Sequence, residues 1–263
     1  MKDNYRGKSR RVEQTVEENE NQLEGRNALT EALRSGRTID KVFIASGETD
    51  RGLQRLAAEA KEAGAVVVPV DRRKLDAMST TRAHQGVIAL AAAREYFSID
   101  DLLQVAADRG EAPLLVICDE LSDPHNLGAI LRSAECAGAH GVIIPKRRSV
   151  GLTAVVAKAS AGAVEYMKVA KVTNINAAIE ELKSKGVWIF GTAAEGSVPM
   201  YQADLTGPCA IVIGSEGDGM SRLVQKNCDV TMHIPMKGKI TSLNASAAAS
   251  ILLYEAVRQR ITK

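Results

Sequence analysis

Aromatic side chains are scarce in this chain: one Trp, five Tyr and three Phe account for 3% of its 263 residues. That scarcity excludes an aromatic core. It also weighs against stacking of bases on aromatic platforms, a frequent mode of single-stranded RNA binding. Cysteine is limited to Cys118, Cys136, Cys209 and Cys228. None forms a CxxC pair or stands near a histidine at zinc-finger spacing, so neither a disulfide framework nor a metal site is expected. No apolar run approaches the ~18–20 residues of a membrane span, and no signal-peptide apolar segment opens the chain. The expectation is a cytoplasmic protein with reduced thiols and no membrane partner. The formal net charge of +2 is too small to mark a nucleic-acid binder by itself.

What is present is an aliphatic α/β pattern. Hydrophobic residues at 45% and charged residues at 25% supply a core of Ala, Val, Ile and Leu. Residues 1–20 begin basic, turn acidic and carry no apolar period, so they read as a flexible tail. A first domain is expected over 21–95. In it Arg26–Leu33 has helical spacing, Val42–Ala45 is a β run, Leu53–Ala63 is an amphipathic helix, and Val66–Val70 and Val87–Ala91 are strands. Residues 96–112 read as a linker whose Ser98–Asp108 stretch is a connecting helix. The pattern then restarts over 113–263. Leu114–Cys118, Val142–Ile144, Val187–Phe190, Ala210–Ile213 and Val230–Ile234 are the short continuous apolar runs of parallel strands covered on both faces. Helices are expected between them at Leu127–Ala137, Thr153–Ala159 and Ile175–Lys185, with the longest at Leu243–Arg260.

Three stretches place polar and glycine residues directly after an apolar strand, where parallel sheets bind ligands. In DELSDPHNLGAILR (119–132), Asn126 either caps the following helix or bonds a ligand, and Arg132 is a lone cation in an apolar helix or a functional one. In IVIGSEGDGMS (211–221), glycines let the backbone approach a ligand closely and hold Glu216 in the turn. A plain strand-to-helix turn reads the same way, and the spacing is neither that of a dinucleotide fingerprint nor that of a P-loop. In IPMKGKITSLNASAAASILLY (234–254), Ser242 and Asn244 open a helix of small residues, as caps or as ligand contacts.

Taken in order, DPHNLGAILRSA, IVIGSEGDGMS and IPMKGKITSLNASAAASILLYEA resemble the three motifs of the SpoU/TrmH family of RNA 2′-O-methyltransferases, over about residues 113–260. The resemblance implies an α/β fold with an open parallel sheet whose C-terminal segment forms the SPOUT trefoil knot. It implies S-adenosyl-L-methionine bound near Thr192, Ala193, Gly214, Ile234, Met236 and Leu243. The matching catalytic positions are Asn126, Arg132, Glu216, Ser242 and Asn244, and the family assembles as homodimers through the last helix. Arg132 is regarded in the family as taking the proton of the ribose hydroxyl. A guanidinium keeps its own proton to pH ~12, so the expectation is that Arg132 grips the target phosphate and hydroxyl and stabilises the developing alkoxide.

The stretches LEGRNALTEAL and AHQGVIALAA resemble the family's small substrate-binding domain, similar to ribosomal protein L30e. Arg26, Arg82, His84 and Gln85 become candidate RNA contacts, and Arg72, Arg73 and Lys74 either add phosphate contacts or form a solvated face. The two-domain layout is similar to the branch acting on a guanosine of bacterial 23S ribosomal RNA. A tRNA ribose methyltransferase, a resistance methyltransferase of ribosomal RNA and a non-catalytic RNA-binding module are the alternatives.

Overall fold

A computed structural model of the chain describes residues 21–47, 50–193, 198–217 and 219–261. The stretch 1–20, expected as a flexible tail, lies outside the described residues. The chain divides into two compact units, one with the described residues up to Glu95 plus Gly151–Val155, the other with Tyr96–Val150 and Val156 onward.

The first unit runs β1 (Gln22–Glu24), α1 (Arg26–Arg34), β2 (Ile39–Ala45), α2 (Arg51–Glu62), β3 (Val66–Val70), α3 (Arg72–Met78) and β4 (Val87–Ala91). Its sheet has the order β1-β4-β2-β3, with β2 and β3 parallel and the other pairings antiparallel. Asp50 and Asp71 start α2 and α3 by accepting backbone N–H groups with their side chains. Leu29, Leu53 and Leu56 from the helices pack with Val42, Val87 and Ala89 of the strands. The basic triplet Arg72–Lys74 is the first turn of α3, and the Nζ of Lys74 lies 5.8 Å from the ring centre of Phe43.

The second unit begins with α4 (Ile99–Arg109) and β5 (Leu114–Cys118), then α5 (Pro124–Cys136), β6 (Gly141–Pro145), α6 (Ala154–Ala159) and β7 (Val169–Val172). It continues with α7 (Ile175–Ser184), β8 (Trp188–Thr192), β9 (Val198–Pro199), β10 (Cys209–Ile213), α8 (Arg222–Asn227), β11 (Val230–His233) and α9 (Ala245–Ile261). The seven strands lie in the order β7-β6-β5-β10-β8-β11-β9, and every pairing is parallel. Strand order reverses between β5 and β10, which places a crevice at their carboxyl ends. The core is aliphatic as the composition requires: Phe190 is the one buried aromatic among the described residues.

Residues 96–112, expected as a linker, belong to this unit. Ser98 and Asp101 form a capping box that starts α4, and Gly110 in the left-handed region ends it. The apolar stripe so created has to be covered, and Ile99 and Leu102 pack into the core against Leu115, Ile143 and Ile179. Leu102 sits so close to Gly141 that a Cβ there would lie 2.1 Å from its Cγ.

Candidate active site

Four loops at the carboxyl ends of β5, β8, β10 and β11 converge here, and their geometry follows from short-range bonds. After β5, the buried Asp119 accepts the backbone N–H of Ser221 over 2.7 Å, tying the loop after β10 to its neighbour. Asp123 then caps α5 by accepting from the His125 N–H at 2.9 Å, with Pro124 at the first helical position. The cap is therefore Asp123 and not Asn126. Asn126 lies inside the first turn and is only 4% exposed. Two residues on, Gly128 is required because a Cβ there would fall 2.5 Å from the Ala159 Cβ.

After β10 the chain doubles back on itself. Ser215 N–H donates to the Gly219 carbonyl at 2.9 Å, and Gly219 N–H returns to Ser215 at 3.1 Å. A Cβ on Gly214 would lie 2.2 Å from the Gly219 carbonyl carbon, so no side chain fits at that turn. This tight fold presents Glu216 outward. After β11, Asn244 caps α9: its Oδ1 accepts from Ser246 N–H at 3.0 Å and Ala247 N–H at 3.2 Å. Ser242, expected to share the opening of this helix, lies two residues before the cap and lines a cavity instead.

The three motif segments meet at side chains. Asn126 Nδ2 donates to Glu216 Oε1 at 2.5 Å. Asn244 Nδ2 donates to the same oxygen at 2.7 Å and to Asn126 Oδ1 at 2.9 Å. Both amides are oriented by this closed triangle, and one Glu216 oxygen receives two donors.

Beside the triangle lies a cavity of about 320 Å³, which Thr192, Ala193, Gly214, Ile234, Met236 and Leu243 all line together with Ser242 and Glu216. Met220, Met232, Thr241 and Leu252 also line it, and the sequence reading did not single them out. Met220, Thr241 and Leu252 lie within the motif segments and Met232 just before one, but as apolar or small residues they carry no chemical signal of their own. Glu216 is the sole charged side chain in this lining among the described residues. Arg132 is not drawn into the triangle and lines neither cavity described here. It lies six residues after Asn126 on α5, about 9 Å along the helix and ~120° around it, and is exposed. The four cysteines take no part in this site, and burial, reinforced by the charge of Asp119, pushes the Cys118 thiol up to about 12.

In the first unit, Glu24 accepts from Ser79 Oγ at 2.6 Å, Thr80 N–H at 2.7 Å and Thr81 Oγ1 at 2.5 Å, shaping the loop that carries the candidate RNA contacts. Arg82 and Gln85 adopt φ of 56° and 48° in that loop. Arg26 donates to the Gln85 carbonyl at 3.3 Å and pairs with Asp50 at 2.8 Å, while its backbone N–H donates to Gln85 Oε1. His84 departs from its expected role. It is 4% exposed, its Nε2 lies 2.9 Å from Asp76 Oδ1 and its Nδ1 accepts from Gly86 N–H, so both ring nitrogens are occupied. It is a structural histidine of the loop rather than a surface contact.

Residues 113–254 match the model of the SpoU rRNA methylase family, and residues 22–97 match that of the RNA 2′-O ribose methyltransferase substrate-binding domain. The chain belongs to the SpoU methylase family. One relative in it is YacO of Bacillus subtilis, assigned to the TrmH family of tRNA/rRNA methyltransferases, which is 49% identical over 90% of this chain and 94% of its own. Another is the 23S rRNA (guanosine-2′-O-)-methyltransferase RlmB of Ralstonia nicotianae, 44% identical over 90% and 95%. Among solved structures, the AdoMet-bound rRNA methyltransferase of Sinorhizobium meliloti aligns with a TM-score of 0.57 and 25% identity, covering 90% of this chain and 86% of that one. The methyltransferase AviRb of Streptomyces viridochromogenes, in complex with AdoMet, shares the fold at a TM-score of 0.59, 24% identity and coverage of 92% and 91%. Among the described residues no helix is long and apolar enough to cross a membrane, and no group of His, Cys, Asp or Glu could hold a metal ion.

Proposed function

We propose that this SpoU-family enzyme methylates the 2′-hydroxyl of a guanosine in large-subunit ribosomal RNA, in the cytoplasm and as a homodimer. The observation that supports the reading best is the triangle Asn126–Glu216–Asn244, where three motifs distant in sequence meet beside one cofactor-sized cavity.

That cavity suits S-adenosyl-L-methionine on its own chemistry. Its volume lies at the small end of ligand sites, and its lining is aliphatic and backbone-rich. The turn at Gly214 leaves no room for a Cβ. Among the described residues its one charged group is the Glu216 carboxylate, matched to a cationic sulfonium. When bound, this cofactor supplies a methyl group already activated for transfer, so the protein has to align the acceptor. Alignment alone can contribute roughly 7–11 kcal/mol in favourable cases. Asn126 and Glu216 orient the acceptor ribose, while Asn244 fixes both and Ser242 and Leu243 close the cofactor's side. Arg132, always charged, stabilises the developing alkoxide and grips phosphate as an electrostatic partner rather than a base.

The homodimer reading draws support from α9, whose Ile251 and Tyr254 are 37% and 52% exposed on a helix that buries Leu252 and Leu253 on its other side. A second copy covering this edge would bring its own α5 and α9 near the site. Arg26, Arg82 and Gln85 select the RNA through the first unit.

Transfer of labelled methyl from S-adenosylmethionine to unmodified ribosomal RNA and to tRNA, both from cells lacking the protein, tests the reading. Label on a ribose of large-subunit RNA supports it. Label on tRNA alone keeps the chemistry and moves the substrate, and no label with no cofactor binding leaves a non-catalytic RNA-binding module.

A further inference from the structure

A second cavity, of about 290 Å³, is also lined by Glu216. Ser215, Glu216 and Gly217 line both cavities, so the turn after β10 is their common wall. Apart from Leu121 the remaining lining is polar and comes from the segments that follow β5 and β6, with Glu120, Asp123, Asn126 and Arg148 prominent. An enzyme of this kind needs a polar space for its acceptor next to an apolar space for its methyl donor, and the two cavities have those characters.

Charge decides what the polar cavity can admit. Glu120, Asp123 and Glu216 line it, and Arg148 is the sole cation in the lining among the described residues. Carboxylates alone would turn away a phosphodiester, and among the described residues of this lining Arg148 is the one that can meet a phosphate there, beside the grip that Arg132 supplies from outside it. In the structure the Arg148 guanidinium instead pairs with Glu120 at 3.1 Å.

The backbone shows that this pairing is built. Glu120 and Arg148 both adopt φ of 55°, the left-handed region that L side chains rarely occupy. They lie at the ends of adjacent parallel strands, β5 and β6. Two bonds lock the facing loops, Ser149 Oγ to the Leu121 carbonyl at 2.8 Å and Val150 N–H to the same oxygen at 2.9 Å. Glycine would fit either position with less strain. That both positions carry long charged side chains points to a role for the side chains themselves. The pair is also easily exchanged: the Arg148 side chain is 80% exposed and that of Glu120 39%, and such exposed ion pairs are weak.

We propose that the polar cavity receives the nucleotide bearing the methyl-accepting ribose, and that Arg148 exchanges Glu120 for a phosphate of that nucleotide. The planar guanidinium can grip two phosphate oxygens at once, which a point charge cannot. Glu120 is then a positioning residue, holding Arg148 at the mouth until RNA arrives. This inference rests on the RNA methyl-transfer reading above and adds to it a residue outside the three motifs.

The test uses the full chain with unmodified ribosomal RNA from cells lacking it. Arg148→Gly removes the guanidinium and relaxes the backbone, so folding is preserved, and Arg148→Lys keeps the charge without the fork. For Arg148→Gly the expected result is a KM for RNA raised at least tenfold, with kcat changed less. Its plot of log affinity against log salt should be shallower by about 0.7–1, with S-adenosylmethionine affinity within twofold of wild type. Arg148→Lys should restore the salt slope but only part of the KM. Glu120→Gln, which frees Arg148 and removes a repelling charge, should tighten RNA binding a few-fold. A wild-type KM and salt slope in Arg148→Gly, or loss of cofactor binding with RNA binding intact, would overturn the inference while leaving the methyl-transfer reading standing. Absence of methyl transfer and of cofactor binding by the wild-type protein would overturn both.

Discussion

Asn244 and Glu216 stand 28 residues apart, and the side-chain amide of the first donates to the carboxylate of the second over 2.7 Å. The other end of the same Asn244 side chain caps α9. One residue thus joins a helix start to the active-site triangle, and two substitutions separate those roles. Asn244→Ala removes both, costing about 0.5–2 kcal/mol for the lost cap. Asn244→Asp keeps a cap oxygen, favoured by the helix dipole, but replaces the donor with a charge that repels Glu216. Thermal unfolding should show Asn244→Asp more stable than Asn244→Ala, while both lose at least about tenfold in methyl transfer, the ~1.4 kcal/mol expected of one charge-assisted hydrogen bond. Wild-type turnover in Asn244→Asp would remove the triangle from the mechanism.

Gly214 offers a test of the larger cavity. An added Cβ would meet the Gly219 carbonyl carbon at 2.2 Å and the Met220 nitrogen at 2.3 Å, both backbone atoms that cannot swing aside. Gly214→Ala is expected to lose about 1–3 kcal/mol by overpacking and to lose S-adenosylmethionine binding by calorimetry. Cofactor binding at wild-type strength in this variant would place the cofactor elsewhere.

His84 and Arg82 are close in sequence and should behave oppositely. His84→Ala leaves Asp76 and the Gly86 N–H without their partner and should cost about 1–3 kcal/mol of stability, with the salt dependence of RNA binding unchanged. Arg82→Gly suits the positive φ and should keep stability, while flattening the salt slope by about 0.7–1. The reverse pattern would return His84 to the RNA surface.

Glu24 predicts the response to acid. Burial works to raise its pKa, but hydrogen bonds from Ser79, Thr81 and Thr80 outweigh it and hold the carboxyl well below the usual carboxylate range. A depressed folded pKa gives stability that is present above the unfolded value, about 4.3, and is lost as pH falls from there through the folded value. Denaturant titrations of wild type should therefore weaken below about pH 4.3. Glu24→Gln should be less stable at neutral pH, with a flatter profile through that window. Identical profiles would show that the loop does not depend on this charge.

Much of the fold could be read in advance where apolar runs were unbroken. Val66–Val70, Val87–Ala91 and Leu114–Cys118 are strands with the expected ends, because β-branched and aliphatic runs bounded by turn residues have no competing period. The missed elements lack such runs. In β7 the four residues VAKV include a lysine, and α8 has six residues, too few for a helical period to show. Asn126 was read as a possible cap because it precedes the apolar stretch, but Asp123 and Pro124 begin the helix one turn earlier. The pairing of Glu120 with Arg148 left no trace in the sequence, since 28 residues separate them and both φ values are consequences of the folded loops.

Residue order by itself determined the α/β class, most strand positions, the three motif segments and the family they resemble. The class and strand positions are local properties, carried by periodicity, caps and the residue types that turns demand, whereas the family rests on the resemblance of the motif segments to its known members. Tertiary structure alone decided that Asn126, Glu216 and Asn244 share hydrogen bonds, that six cofactor candidates line one cavity, that α4 joins the second unit and that His84 is buried. The site's outcomes depend on parallel strands aligning their carboxyl ends across the switch between β5 and β10, and the burial of His84 and of α4 on long-range packing within each unit, none of which a local pattern encodes.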